Sequence, residues 1–128
     1  MARILVVEDN AANMKLCTLL LTNAGHQVLA AMDAEAGLVA ARAEAPDLII
    51  MDIQLPGMDG LAATALLKGD PATAGIPIIA LTAMAMKADK ERSEVAGCDA
   101  YLAKPVRYRE LYLAVDTILA IARDRHAS

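Results

Sequence analysis

Five short aliphatic runs set the frame of this chain: Arg3–Val7, Gln27–Ala31, Leu48–Asp52, Pro77–Leu81 and Ala100–Ala103. Each is followed by a stretch with helical character. Asn10–Asn13 offers N-cap candidates for a first helix, with Met14, Cys17, Leu20, Leu21 and Ala24 at helical spacing and Gly25 as its stop. Ala34–Glu44 presents Leu38, Ala41 and Ala45 on one face, and Pro46 ends it. Leu61–Lys68 gives a short third helix and Lys87–Ala96 a polar fourth, closed by Gly97. Arg107–Ala122 carries the stripe Leu111, Ala114, Val115, Ile118 and Ala122. Continuous aliphatic runs suit strands covered on both sides. Five of them alternating with five helices predict an α/β fold: one parallel sheet with flanking helices. Right-handed crossovers leave few topologies. A doubly wound order 2-1-3-4-5 would set the first and third strands side by side at the switch point, with the fourth beside the third.

A chain of 128 residues is expected to be one domain. We place it at 1–122, with 123–128 as a frayed tail. With neither Phe nor Trp, the core must be built from Leu, Ile, Val, Ala and Met. The net charge is −4 and no Lys/Arg cluster occurs, which argues against nucleic-acid binding. No apolar stretch approaches the roughly 20 residues of a membrane helix, and the first strand starts without a signal-like segment. Cys17 and Cys98 have no metal spacing and read as free thiols in a reducing cytoplasm.

The strand ends carry the chemistry. Glu8 and Asp9 follow the first run, Asp52 ends the third, Thr82 follows the fourth and Lys104 the fifth. In open parallel sheets, ligands bind outside the carboxyl ends of the strands. Three carboxylates gathered there repel one another, and a cation relieves the repulsion. Few hard oxygen ligands with room for water favour Mg²⁺ (or Mn²⁺) over a closed Ca²⁺ cage. Lys104 adds a point charge suited to phosphate and Thr82 a hydroxyl donor. Such a set can neutralise the equatorial oxygens of a phosphoryl group in transfer. Asp52 is left with an oxygen able to attack phosphorus, as carboxylates do in forming aspartyl phosphates.

Taken singly, each residue has a plainer reading. Asp9, Asn10 or Asn13 could cap the first helix, Thr82 the fourth; Asp52 could be a solvated strand end and Lys104 a surface charge. Those readings do not explain why the strand ends carry complementary groups together. His26 and His126 have no place in such a site. A haloacid-dehalogenase-type phosphatase would need a second Asp two residues after the nucleophile, where Gln54 stands and cannot act as an acid. In a flavodoxin-like flavin carrier, Glu8 and Asp9 would repel the phosphate. The P-loop GxxxxGK[ST] is absent.

With these residues in place, the chain resembles the receiver domain of two-component response regulators, from about Ala2 to Ala122. The resemblance rests on Val6-Val7-Glu8-Asp9-Asn10, on PDLIIMDIQLPGMDG over Pro46–Gly60, on Leu81-Thr82-Ala83 and on Lys104-Pro105, in that order and spacing. The stretch Thr82–Pro105 is similar to single-domain regulators and to receivers attached to hybrid histidine kinases. The resemblance implies a flavodoxin/CheY-like fold and a cytoplasmic phosphorelay role, in which Asp52 accepts a phosphoryl group from the phosphohistidine of a histidine kinase or histidine phosphotransfer protein. Asp9, Asp52 and the Gln54 backbone carbonyl would ligate Mg²⁺, with Glu8 acting through a bound water. Lys104 would contact the phosphoryl group. Thr82 and Tyr101 would form the switch, and the Lys104–Pro105 peptide would be cis. Output would pass from the face of the fourth helix, fifth strand and fifth helix (Met84, Met86, Tyr101, Tyr108) to a downstream signalling protein. The protein would be a monomer or weak dimer without metabolic activity, catalysing only its own phosphorylation and dephosphorylation. A hybrid-kinase fragment and a phospho-independent pseudo-receiver are the alternatives; no further domain is expected after Ala122.

Overall fold

The computed structural model describes residues 2–83, 91, 92, 94 and 96–127, with side chains as far as Asp124. Five strands form one parallel sheet: β1 (Arg3–Val7), β2 (Gln27–Ala31), β3 (Leu48–Asp52), β4 (Ile78–Thr82) and β5 (Ala100–Ala103), in the order β2-β1-β3-β4-β5. Helices α1 (Ala11–Asn23), α2 (Ala34–Glu44), α3 (Gly60–Gly69) and α4 (Tyr108–Ala127, the C-terminal helix) flank it. The expected helix over 87–96 falls mostly outside the described residues; Glu91, Arg92, Glu94 and Ala96 are helical.

The alternation of side chains along each strand divides the core in two. Ile4, Val6, Leu48, Ile50, Ile79 and Leu81 pack with Met14, Cys17 and Leu21 of α1 and Leu111, Val115 and Ile118 of α4. Leu5, Val7, Ile49, Met51 and Ile78 pack with Leu38 and Ala41 of α2 and Ala63 and Leu67 of α3. Both sides of β1, β3 and β4 are thus dry, which is why their sequences are unbroken aliphatic runs.

Short polar side chains set the helix starts. Asn10, Asp33 and Asp59 each accept a hydrogen bond from the backbone N–H three residues on, at 3.0, 2.7 and 2.7 Å. Gly25, at φ +90°, takes the left-handed conformation that stops α1. Two expectations shift. Ala45 lies on no buried face: it caps α2 in a left-handed conformation, φ 44°, and is exposed. The C-terminal helix, expected over Arg107–Ala122, runs on to Ala127, with no Gly or Pro in Arg123–Ala127 to stop it.

Candidate functional site

The register of the sheet decides which side chains meet. Val7 pairs with Met51, Asp52 with Leu81, and Thr82 with Ala103. The ends of β1, β3, β4 and β5 therefore stand in one row, and Glu8, Asp52, Thr82 and Lys104 leave from it. Glu8, Asp52 and Thr82 are buried, whereas Asp9 is exposed at the rim. One carboxylate oxygen from each of Glu8, Asp9 and Asp52 lies within 4.8 Å of the others.

Lys104 reaches across this group. Its Nζ donates to Glu8 Oε1 and Oε2 at 3.0 and 3.1 Å and to Asp52 Oδ2 at 2.8 Å. Its backbone N–H donates to the Thr82 carbonyl at 2.7 Å, and the Lys104–Pro105 peptide is cis. The Gln54 N–H donates to Asp52 Oδ1 at 2.9 Å. Both Asp52 carboxylate oxygens thus accept hydrogen bonds, Oδ1 from the Gln54 N–H and Oδ2 from Lys104. A second donor to Glu8 is Asn13 Nδ2, 2.9 Å from Oε1.

Burial is the first cause that pushes the Glu8 carboxyl up, to about 7; the hydrogen bond with Asp52 and its charge act the same way, against Asn13 and Lys104. The mutual repulsion anticipated from the sequence is real but secondary to desolvation. Burial also pulls on the Lys104 ammonium, downward, but Asp52 and Glu8 outweigh it and hold its pKa above the ordinary lysine value. Burial pushes the Cys17 thiol up to about 11 and raises that of Cys98, which disfavours the thiolate in both.

Gly60 lets α3 approach the site. Its N–H donates to the Ile53 carbonyl at 3.2 Å, and a Cβ there would lie 2.0 Å from the Asp52 carbonyl oxygen. From the sequence, Gly60 reads as part of a turn-rich loop and Asn13 only as a cap candidate. A motif shows a turn; it does not show which backbone the turn must touch. Asn13 left one signal, a polar amide in a helix start otherwise written with Ala11 and Ala12.

The remaining expected residues lie away from the acidic group or beyond description. Tyr101 is half-buried in β5, paired with Ala80. Tyr108 is exposed at the start of α4, edge-on to Tyr112 with centroids 6.1 Å apart and with the Arg109 guanidinium 5.6 Å over its ring. Met84 and Met86 fall outside the described residues.

The geometry has counterparts in known proteins. Residues 4–116 match the family model of the response regulator receiver domain. The chain is 46% identical over 103 residues to the polar-differentiation response regulator DivK of Brucella anthropi, covering 80% of this chain and 84% of that one. It is similar to the CheY-like receiver domain protein of Methanospirillum hungatei, with a TM-score of 0.90, 30% identity and 98% of each chain covered. It is also similar to the receiver domain of a sensor histidine kinase from Pseudomonas aeruginosa, whose structure has a magnesium ion coordinated in the active-site cleft; the TM-score is 0.87 with 34% identity, covering 93% of this chain and 98% of that one. With sheet order, acidic group and family model in agreement, this chain belongs to the response regulator receiver domains of two-component signalling.

Proposed function

We propose that Asp52 is the phosphoacceptor of a receiver spanning residues 1–122, and that Glu8, Asp9, Thr82 and Lys104 serve its phosphorylation. The observation that carries this reading is the placement of the Asp52 carboxylate at the meeting point of a buried acid, a rim acid and an ammonium 2.8 Å away. A phosphohistidine donor is the chemistry that fits. An Asp52 oxygen attacks phosphorus, the phosphorus–nitrogen bond breaks, and the imidazole leaves with the bond pair and takes up a proton. Attack by water on the aspartyl phosphate then returns Asp52 and inorganic phosphate.

The donor set fits a hard divalent cation. Three carboxylates, one of them at the solvent rim, leave room for water, which Mg²⁺ keeps and a closed Ca²⁺ cage does not. Asp9, Asp52 and the Gln54 carbonyl would hold the ion, with Glu8 acting through a water. Bound Mg²⁺ (or Mn²⁺) would supply charge neutralisation at the phosphoryl oxygens. Lys104 orients Asp52 before transfer and contacts the phosphoryl group afterwards. The Gln54 N–H holds the other Asp52 oxygen so that the carboxylate does not rotate. Thr82 gains a strong new acceptor once Asp52 is phosphorylated. A contact of that kind shifts a population between two packings separated by a few kcal/mol. Tyr101, in the next strand, is placed to follow. The partners are a histidine kinase or phosphotransfer protein upstream and a signalling protein downstream, in the cytoplasm, with the receiver a monomer or weak dimer.

The test is phosphoryl uptake from acetyl phosphate with Mg²⁺. Wild type is expected to incorporate one phosphoryl group, lost on treatment with hydroxylamine, and Asp52→Asn none. Label on an aspartate of the Asp52→Asn variant would overturn the assignment, and so would a folded wild type that takes up none.

A further inference from the structure

We infer that Asn13 is a positioning residue for the acidic pocket: its side-chain amide holds the Glu8 carboxylate in place for a divalent cation. This rests on the reading of Glu8, Asp9 and Asp52 as the cation pocket. Glu8 is fully buried and takes hydrogen bonds from two side chains, Lys104 and Asn13. The two are not equivalent. Lys104 also serves Asp52, and a phosphoryl group on Asp52 would draw its ammonium away from Glu8. Asn13 donates to Glu8 Oε1 at 2.9 Å and is neutral, so it competes with no cation. Among the described residues it is the remaining side-chain donor to Glu8 once Lys104 moves.

Its place in α1 supports this role. Asn10 is the N-cap and its Oδ1 accepts from the Asn13 N–H at 3.0 Å, which fixes the Asn13 backbone at the third position of the helix. In a capping box, the side chain at that position reaches back to the N-cap N–H. Here it passes the cap and reaches five residues back, to the buried acid at the end of β1. The helix itself does not ask for Asn. Ala is the better helix former, and the two residues before it are Ala11 and Ala12. An amide at this point in contact with a buried carboxylate is placed as the outer partner that orients a cation-holding acid.

Asn13→Ala should leave α1 intact and remove the hook. The measurement is a Mg²⁺ titration followed by calorimetry at pH 8 on wild type, Asn13→Ala, Asn13→Ser, Asn13→Gln and Asn10→Ala, with far-UV circular dichroism to verify folding. Loss of such an outer partner typically weakens metal binding about 10- to 100-fold. Asn13→Ala and Asn13→Ser, both too short to reach Glu8, are expected to weaken Mg²⁺ affinity about 10-fold. Asn13→Gln, which keeps the amide, is expected to recover most of it. Asn10→Ala is expected to lower the melting temperature and leave Mg²⁺ affinity unchanged. Unaltered affinity in either folded short variant would overturn the inference. So would an equal loss in Asn10→Ala, which would make the role one of capping. A folded wild type that ignores Mg²⁺ would instead overturn the cation pocket itself.

Discussion

Lys104 is the residue on which the site's electrostatics turn, because it is the cation between two buried carboxylates. Removing one member of a buried ion pair usually costs about 3–5 kcal/mol, since the other charge is stranded. Two features reduce that here. The ammonium keeps some contact with solvent, its side chain being 16% exposed, and Glu8 can shed its charge by taking a proton. We expect Lys104→Ala to fold and to lose about 2 kcal/mol at pH 8 without divalent cation, less at pH 6, where Glu8 is protonated. Urea denaturation at both pH values measures it; equal losses would show that Glu8 does not respond to its neighbour. The same variant is expected to accept phosphate and fail to change its affinity for a downstream partner. A phosphorylation-dependent change of wild-type size in that affinity would refute the coupling role.

At the scale of elements, the site depends on how closely α3 can approach β3. The Gly60 position lies against the Asp52 carbonyl, and backbone against backbone has no slack. Gly60→Ala must push the start of α3 away from the strand. We expect a loss of about 1–3 kcal/mol, the usual cost of overpacking, together with slower phosphoryl uptake because Asp52 and the Gln54 N–H shift with it. Stability unchanged by differential scanning calorimetry would refute the close approach. Ala45 offers the opposite sign. Its left-handed backbone suits glycine, so Ala45→Gly is expected to raise stability by up to about 1 kcal/mol. The contrast with Gly60 marks the limit of what the sequence discloses. The unbroken aliphatic runs specify β1, β3 and β4 because those strands are buried on both sides, and the polar residues at the strand ends foretell the acidic row. The start of the first helix is written in Asn10, and Asp33 and Asp59 set the starts of α2 and α3 in the same way. What a turn touches is not written locally: the contact of Gly60 with β3 and of Asn13 with Glu8 arises from the assembled sheet. The same holds for α4, whose end has no stop signal in Arg123–Ala127.

For the molecule as a whole, the buried acid makes stability depend on pH in an unusual direction. An ion-paired carboxylate normally has its pKa lowered by folding and stabilises the native state at neutral pH. Glu8 has it raised, from an ordinary value of 4.5 to about 7, so the folded state binds this proton more tightly than the unfolded chain. The contribution is therefore favourable at low pH, falls as pH rises from 4.5 towards 7, and is fully lost above that. A shift of that size corresponds to about 3 kcal/mol. Asp70, whose pKa is lowered by the Ala72 N–H and Arg42, follows the ordinary direction, so the quantity to measure is the difference between wild type and Glu8→Gln. Thermal melts in chelator at pH 5 and pH 8 are expected to show wild type losing stability relative to Glu8→Gln across this range. Adding 10 mM Mg²⁺ is expected to restore wild type at pH 8, because the cation takes the ionised carboxylates and stabilises by mass action whatever it binds. It is expected to do little at pH 5, where a proton competes for Glu8. A wild-type curve that stays parallel to that of Glu8→Gln would mean that the acid keeps its ordinary pKa in the fold, and the pocket would then have no electrostatic need of a cation.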